Sequence, residues 1–311
     1  MVNMITMPLI AVEKIATLTG HRDCIYVLEK GASDKHFFSA AGDGMVVHWD
    51  MENPEEGELV AKVANSVYAM TYLSEKHYLL IGQNFQGIHL IDVASKKELR
   101  SAAITDSYIF DIQVRQDKIL VGCGDGSLTV LALEDLTTIK KVKFSEQSLR
   151  SIAVSPDGNY IALGFSDNII RIVDALTFEL LYELEAHTNS VFTVVFSPDG
   201  KFLLSAGRDA HLKIWDVEQQ FSLKESIVAH LFAINHIAYS PDGNHFATCS
   251  MDKSIKIWDA KGFNLVKVID KARYAGHGTS INKLNWSTYH DRLISCSDDR
   301  SITVWNINFN S

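Results

Sequence analysis

Cysteine is scarce in this 311-residue sequence. Its four copies, Cys24, Cys123, Cys249 and Cys296, stand far apart and form no CxxC pair. That spacing gives no sign of a disulfide framework and argues against a zinc site, so the four read as free thiols of a reducing, cytoplasmic compartment. Positive charge is also short, with 29 Lys and Arg against 38 Asp and Glu and a formal net charge of −9. A surface of that sign repels phosphate backbones and anionic lipid, so neither nucleic acid nor membrane is an expected partner. No apolar run is long enough to cross a bilayer. The short one, Met7 to Val12, has no basic residue before it and Glu13 directly after, which makes a poor signal peptide. There is no P-loop, GxSxG, EF-hand loop, HExxH or long amphipathic helix. No metal or cofactor is expected.

What is present is enough apolar residue for a large core, 47% against 22% charged. Length alone would suggest two domains, but closed all-β architectures hold this many residues in one. The pattern decides for one, over 1–311, because the chain repeats itself. Four segments end alike: SAAGDGMVVHWD (Ser39 to Asp50), SAGRDAHLKIWD (Ser205 to Asp216), TCSMDKSIKIWD (Thr248 to Asp259) and SCSDDRSITVWN (Ser295 to Asn306). Each follows a Gly-His or Ala-His pair, and His21 to Trp49, His187 to Trp215, His230 to Trp258 and His277 to Trp305 all span 28 residues. Three weaker copies end near Asp92, Ala132 and Asp174, with Ile91, Leu131 and Val173 at the tryptophan position. The seven endings are separated by 42, 40, 42, 42, 43 and 47 residues. The extra length before the last falls between Trp258 and His277, around Asp270 to Arg273, and reads as a loop insertion.

Inside a unit the chain reads as strands and turns. In the fifth, SVFTVVFS is followed by SPDG, FLLSAG, a turn at Arg208 and Asp209, and HLKIWD. β-branched and alternating runs bounded by Asp-Gly and Pro are strand and hairpin signals. A period of about 40–45 residues with four short strands and a terminal Trp-Asp is the signature of a propeller blade. From about Val12 to Asn306 the chain resembles the WD-repeat β-propeller family. The resemblance implies an all-β, seven-bladed propeller of four-stranded antiparallel blades. It also implies that a strand at Glu13 to Leu18 completes the last blade and closes the ring.

The resemblance further gives the His, Asp and Ser or Thr residues a structural role. Ser39, His21 and Asp43 invite comparison with a nucleophilic triad, as do their equivalents Ser205, His187 and Asp209; Thr248, His230 and Asp252; and Ser295, His277 and Asp299. In the family these positions form a buried hydrogen-bond chain from the indoles of Trp49, Trp215, Trp258 and Trp305. Four copies in one chain also suit architecture better than an active site. The second to fourth units lack the set, with Phe85 at the Asp position of the second, and are expected to be the less rigid part of the ring.

By the same resemblance the residues ringing the channel on the top face are Tyr26, Tyr68, Phe110, Arg150, Phe192, Asn235 and Asn282. Tyr108 flanks Phe110, and Arg208, Met251 and Asp298 precede network Asp residues. Aromatics with arginine suit a protein-binding hot spot. The expected function is that of a non-enzymatic interaction scaffold, monomeric by itself, taking a partner protein or peptide in trans. An acidic or phosphorylated peptide with an apolar anchor would suit the arginines. Two alternatives stay open: a ligand-binding or enzymatic site in the central channel, which would need ionisable residues converging on the axis, and a purely structural subunit of a larger assembly.

Overall fold

The computed structural model describes residues 10–309. Expectations that fall on residues 1–9, including the start of the short apolar stretch, lie outside them. Seven four-stranded antiparallel sheets account for 28 strands, as the repeat predicts. We number them as blades one to seven by their inner strands: Ile25–Lys30, Val67–Leu73, Ile109–Arg115, Leu149–Val154, Val191–Phe196, Ile234–Tyr239 and Ile281–Trp286. In blades one to six the four strands follow one another in sequence. Blade seven is different, because its outer strand is Ile10–Thr19, paired antiparallel with Ser301–Phe309 from Ile10 opposite Phe309 to Thr19 opposite Ser301. The ring is therefore closed by hydrogen bonds between these two strands, and the edge of Ser301–Phe309 away from Arg292–Ser297 is covered.

Two-residue periodicity explains the packing. Successive side chains of a strand point to opposite faces, and here each face meets a neighbouring blade. Leu79 and Ile81 pack toward blade one, whereas Leu80 between them packs toward blade three. Leu293 and Trp305 face blade six, while Ile294 and Val304 face blade one. Among the described residues the buried apolar side chains gather into seven clusters, one per blade interface. Ile10 and Leu18 of the closing strand belong to two of them, at 3% and 1% exposure.

The insertion before blade seven is a single helical turn, Lys271–Tyr274, whose N-terminus is capped by the Asp270 carboxylate accepting from the Arg273 amide. Trp286 ends its inner strand buried at 3% exposure, stacked on Phe309, as core. GCGDG at Gly122 to Gly126 forms a strand end and a hairpin turn, with no helix after it to hold a pyrophosphate.

Candidate functional site

Buried polar chains fix the loops that precede the inner strands of four blades. In blade one the Trp49 indole donates to Ser39 Oγ at 2.8 Å, His21 Nε2 lies 2.7 Å from the same hydroxyl, and His21 Nδ1 lies 3.3 Å from the Asp43 carboxylate. Blade five repeats this with Trp215, Ser205, His187 and Asp209 at 2.9, 2.8 and 3.0 Å. Blade six repeats it with Trp258, Thr248, His230 and Asp252 at 3.0, 2.8 and 2.8 Å. Blade seven does so with Trp305, Ser295, His277 and Asp299 at 2.9, 2.9 and 3.0 Å. Each hydroxyl is 0% exposed, so no substrate can reach it as a nucleophile. Burial lowers the His21 and His230 imidazoles below their ordinary range despite the facing carboxylates, which suits a neutral ring donating at Nδ1 and accepting at Nε2. Each Asp also accepts the amide after the histidine: Arg22, Thr188, Leu231 and Gly278. The chain thus pins the top loop of its blade.

Blades two to four solve the same problem with other residues. In blade two the Asn84 side chain accepts the Ile109 amide at 2.8 Å and donates to Ser66 Oγ at 2.9 Å. In blade three Asp125 holds Ser127 and lies 3.1 Å from Lys141 Nζ. In blade four Ser145 takes the histidine's place and donates to Asp167 at 2.7 Å. Arg171, 7% exposed, bridges Asp167 and Glu183 at 2.8 Å each and lies over the Phe165 ring. Sequence reasoning missed this arginine because it looked for the family's residues, whereas the signal was a cation in an otherwise apolar strand, IIRIVD.

The channel owes its lining to one repeated irregularity. In every inner strand the pairing register slips at the same point, between Ile25 and Val27, Val67 and Ala69, Ile109 and Asp111, Leu149 and Ser151, Val191 and Thr193, Ile234 and His236, and Ile281 and Lys283. The residues skipped are Tyr26, Tyr68, Phe110, Arg150, Phe192, Asn235 and Asn282. A bulge re-aims the side chain it carries. All seven, with Tyr108, line one cavity of about 670 Å³.

Their contacts form a continuous arc. Tyr26 and Tyr68 meet edge to face at 4.7 Å, Tyr68 stacks on Phe110 at 5.9 Å, and Tyr108 lies 5.5 Å from Phe110 and 4.6 Å from Phe85. The Arg150 guanidinium lies between two rings, 4.0 Å from the Phe110 centroid and 4.8 Å from that of Phe192. Burial lowers its ionisation from the ordinary value yet leaves it charged at neutral pH. Asn235 and Asn282 are committed to the scaffold. The first donates to the Ile281 carbonyl and the second to the Ile25 carbonyl and Asp298, which ties the blades together. Arg208 is not brought to this cluster. It is exposed in the turn between Phe202–Gly207 and His211–Asp216, its amide bonded to the Ser190 carbonyl.

Beyond the aromatic ring the channel is ionisable, with residues the sequence analysis did not single out. Asp111, His236 and Lys283 line the same cavity, and Glu29 lines an adjoining one together with Asp111 and Lys283. Asp111 accepts the Ile152 amide at 2.7 Å and Gln113 Nε2 at 3.1 Å. Burial pushes the carboxyls of Asp111 and Glu29 up, Glu29 to about 7, and pushes the His236 imidazole well down. The signal available was an ionisable residue directly after a bulge residue of an inner strand, at Asp111, His236 and Lys283. Among the described residues no group of three or more His, Cys, Asp or Glu side chains is placed to hold a metal ion.

Residues 12–50, 137–174, 178–216, 221–259 and 269–306 match the family model described as WD domain, G-beta repeat. The chain belongs to the WD40 repeat family. The WD40 matches leave out 51–136, the stretch holding most of blades two and three, where the tryptophan and the histidine are replaced. Curated relatives include the 66 kDa stress protein of Physarum polycephalum, 25% identical over 209 residues, which cover 64% of this chain and 33% of that protein. Actin-interacting protein 1 of Drosophila melanogaster is 25% identical over 197 residues, 61% of this chain and 32% of that protein. Protein groucho of the same organism is 24% identical over 201 residues, 60% and 27%. The matched region spans a third or less of each.

Proposed function

We propose that this WD40 propeller is a non-enzymatic scaffold that captures a partner protein at the channel mouth on its top face. The observation that carries the reading is Arg150. Its guanidinium carbon lies over the rings of Phe110 and Phe192, while its N–H groups make no hydrogen bond to the described residues and the side chain lines the open cavity. A planar cation held in this way presents its edge to a carboxylate or phosphate, and the neighbouring Tyr26, Tyr68 and Tyr108 offer rings to an apolar anchor. The partner segment is therefore acidic or phosphorylated with an apolar residue beside the charge. Actin-interacting protein 1 is named for a protein it contacts, which fits such a role without transferring its partner. The propeller is taken to be monomeric by itself and cytoplasmic, in keeping with its unpaired thiols.

A panel of acidic and phosphorylated peptides, together with affinity capture from the source cell, tests this. Arg150→Ala and Phe192→Ala are each expected to weaken binding by about 1–3 kcal/mol with melting nearly unchanged. Wild-type binding by both variants refutes the reading. A second reading has one observation behind it: Glu29, Asp111, His236 and Lys283 converge inside the channel, as a small-molecule site would require. Thermal-shift screening of small charged compounds against wild type and Lys283→Ala separates the two, because a channel ligand responds to Lys283.

A further inference from the structure

Blade six breaks the pattern of the top face. In blades one, five and seven the two residues after the network histidine are Arg22 and Asp23, Thr188 and Asn189, and Gly278 and Thr279. In blade six they are Leu231 and Phe232, exposed at 83% and 62%. The residue before the network Asp repeats the exception. It is Gly42, Arg208 and Asp298 elsewhere, but Met251 in blade six, 50% exposed.

Hydrogen bonds hold these three side chains in one place. The Leu231 amide donates to Asp252, the Met251 amide donates to the Ala233 carbonyl, and Ser250 Oγ donates to the Phe232 carbonyl. Val228, 73% exposed, ends the strand that leads into the same loop. Four large apolar side chains exposed on one rigid loop pair are not needed for the core, since the interface between blades five and six is filled beneath them by Ala229, Ile234, Ile237 and Phe246. An exposed apolar patch of this kind marks an interaction site.

The surroundings say what kind. The amides of Ala229 and His230 bond to the carbonyl of Ala210, which brings the turn carrying Arg208 against the patch. Lys253 follows Asp252 directly on the other side. Arg208 and Lys253 are exposed, and neither pairs with a carboxylate among the described residues. Two unpaired cations beside four apolar side chains, on a chain of net charge −9, form a local reversal of sign.

We infer that the rim of blades five and six, formed by Val228, Leu231, Phe232 and Met251 with Arg208 and Lys253, is a second docking surface for a partner-protein segment that presents two large apolar side chains flanked by carboxylates. The inference rests on the scaffold reading but places contact away from the channel mouth. The apolar pair covers Leu231 and Phe232, and the carboxylates meet Arg208 and Lys253, so that binding weakens with salt.

The test selects short random peptides by display on the full chain and measures the enriched ones by fluorescence polarisation. Enriched peptides are expected to combine two large apolar residues with Asp or Glu. The double variant Leu231→Ser, Phe232→Ser is expected to weaken them about tenfold or more, and Arg208→Ala and Lys253→Ala each a few-fold with a flatter salt dependence. Leu231, Phe232, Arg208 and Lys253 are exposed, so melting of their variants should not move, and the two charge variants test the surface even if the double variant misfolds. If the peptides respond to Arg150→Ala and Phe192→Ala but not to the rim variants, the inference falls and the channel-mouth reading stands. If no peptide is enriched, the inference falls. If wild type dimerises in sedimentation and the Leu231→Ser, Phe232→Ser variant does not, the occupant is a second copy and the inference is again overturned.

Discussion

The Arg150 guanidinium lies over the Phe192 ring with its central carbon 4.8 Å from the centroid, so one blade's cation is oriented by the next blade's aromatic. Orientation distinguishes this group from a surface charge. Lysine at this position would keep the charge but lose the planar fork and the stacking between two rings. Arg150→Lys is therefore expected to lose binding of an acidic or phosphorylated peptide nearly as fully as Arg150→Ala, by about 1–3 kcal/mol. Calorimetry with the wild type and both variants decides it, and full affinity in the lysine variant would show that charge alone suffices.

Ring closure by Ile10–Thr19 gives a second expectation. Deleting residues 1–18 exposes the edge of Ser301–Phe309 and removes Ile10 and Leu18 from two blade interfaces, at about 1.5–3 kcal/mol for each buried side chain. The truncated chain is expected to aggregate or to unfold without cooperativity. Unchanged melting of the truncated chain would mean that the ring closes without this strand.

Asp209 gives a third. Removing its carboxylate in Asp209→Ala leaves His187 Nδ1 and the amides of Thr188 and His211 without their acceptor, a cost of about 1–3 kcal/mol. The acid limb should change as well. Burial opposes the charged carboxylate, but hydrogen bonds and the charge interaction with His187 outweigh it and hold Asp209 far below the usual range, as happens at Asp252 and Asp299. Such a group contributes stability that is present above its unfolded pKa of about 3.9 and lost as pH falls through the folded value. Wild type should lose stability below about pH 4 more steeply than Asp209→Ala. Urea midpoints from pH 6 down to pH 2 check both statements, and coincident curves would discard the network assignment.

The fold was legible because its signal is periodic. Equal His-to-Trp spacings and the turn residues after each strand count the blades, and the three degenerate units still keep strand length and apolar alternation, as at Leu79 to Ile81. The ring of bulge residues was also legible, since the position five after each network histidine, Tyr26 or Phe192, needs only alignment. Missed were the residues whose meaning depends on the bulge or on a neighbour. Asp111, His236 and Lys283 stand at positions that hold the apolar Val27 and Ala69 in blades one and two, so alignment alone gave them no role in the channel. Arg171 depends on Glu183 in the adjacent strand, and Leu231 with Phe232 looks like core until the loop is seen to lie outside it.

Arg171 supports a fourth prediction. Arg171→Ala leaves Asp167 and Glu183 without their shared partner and removes the stack on Phe165. The pair is only partly shielded, since the Glu183 side chain is 50% exposed, so a loss of about 1–3 kcal/mol is expected rather than that of a fully buried ion pair. Asp167→Ala should cost a similar amount, and the double variant less than the sum, because the two act as one network. Additive losses in chemical denaturation would show that the bridge does not couple blade four.

The last prediction concerns the channel interior. Glu29 accepts the Tyr72 amide at 3.4 Å, and Lys283 and Lys30 attract it, but burial dominates with help from the like charge of Asp111 and pushes the carboxyl up to about 7. A carboxyl whose folded pKa exceeds its unfolded value of about 4.3 favours the folded state least when charged, so its contribution declines as pH rises from that value to the folded one. Glutamine keeps the acceptor for Tyr72 and removes the ionisation. Glu29→Gln is therefore expected to match wild type near about pH 5 and to exceed it by about 1–3 kcal/mol at about pH 8. His236, facing the same space, has its imidazole pushed well below the ordinary value by burial and Lys283, so it adds a slope of rising stability up to about pH 6.5, but it does so in both proteins and cancels in their difference. Urea unfolding at a series of pH values reads the difference directly. Parallel stability curves for the two proteins from pH 5 to pH 8 would mean that Glu29 is ionised throughout and that water in the channel solvates it.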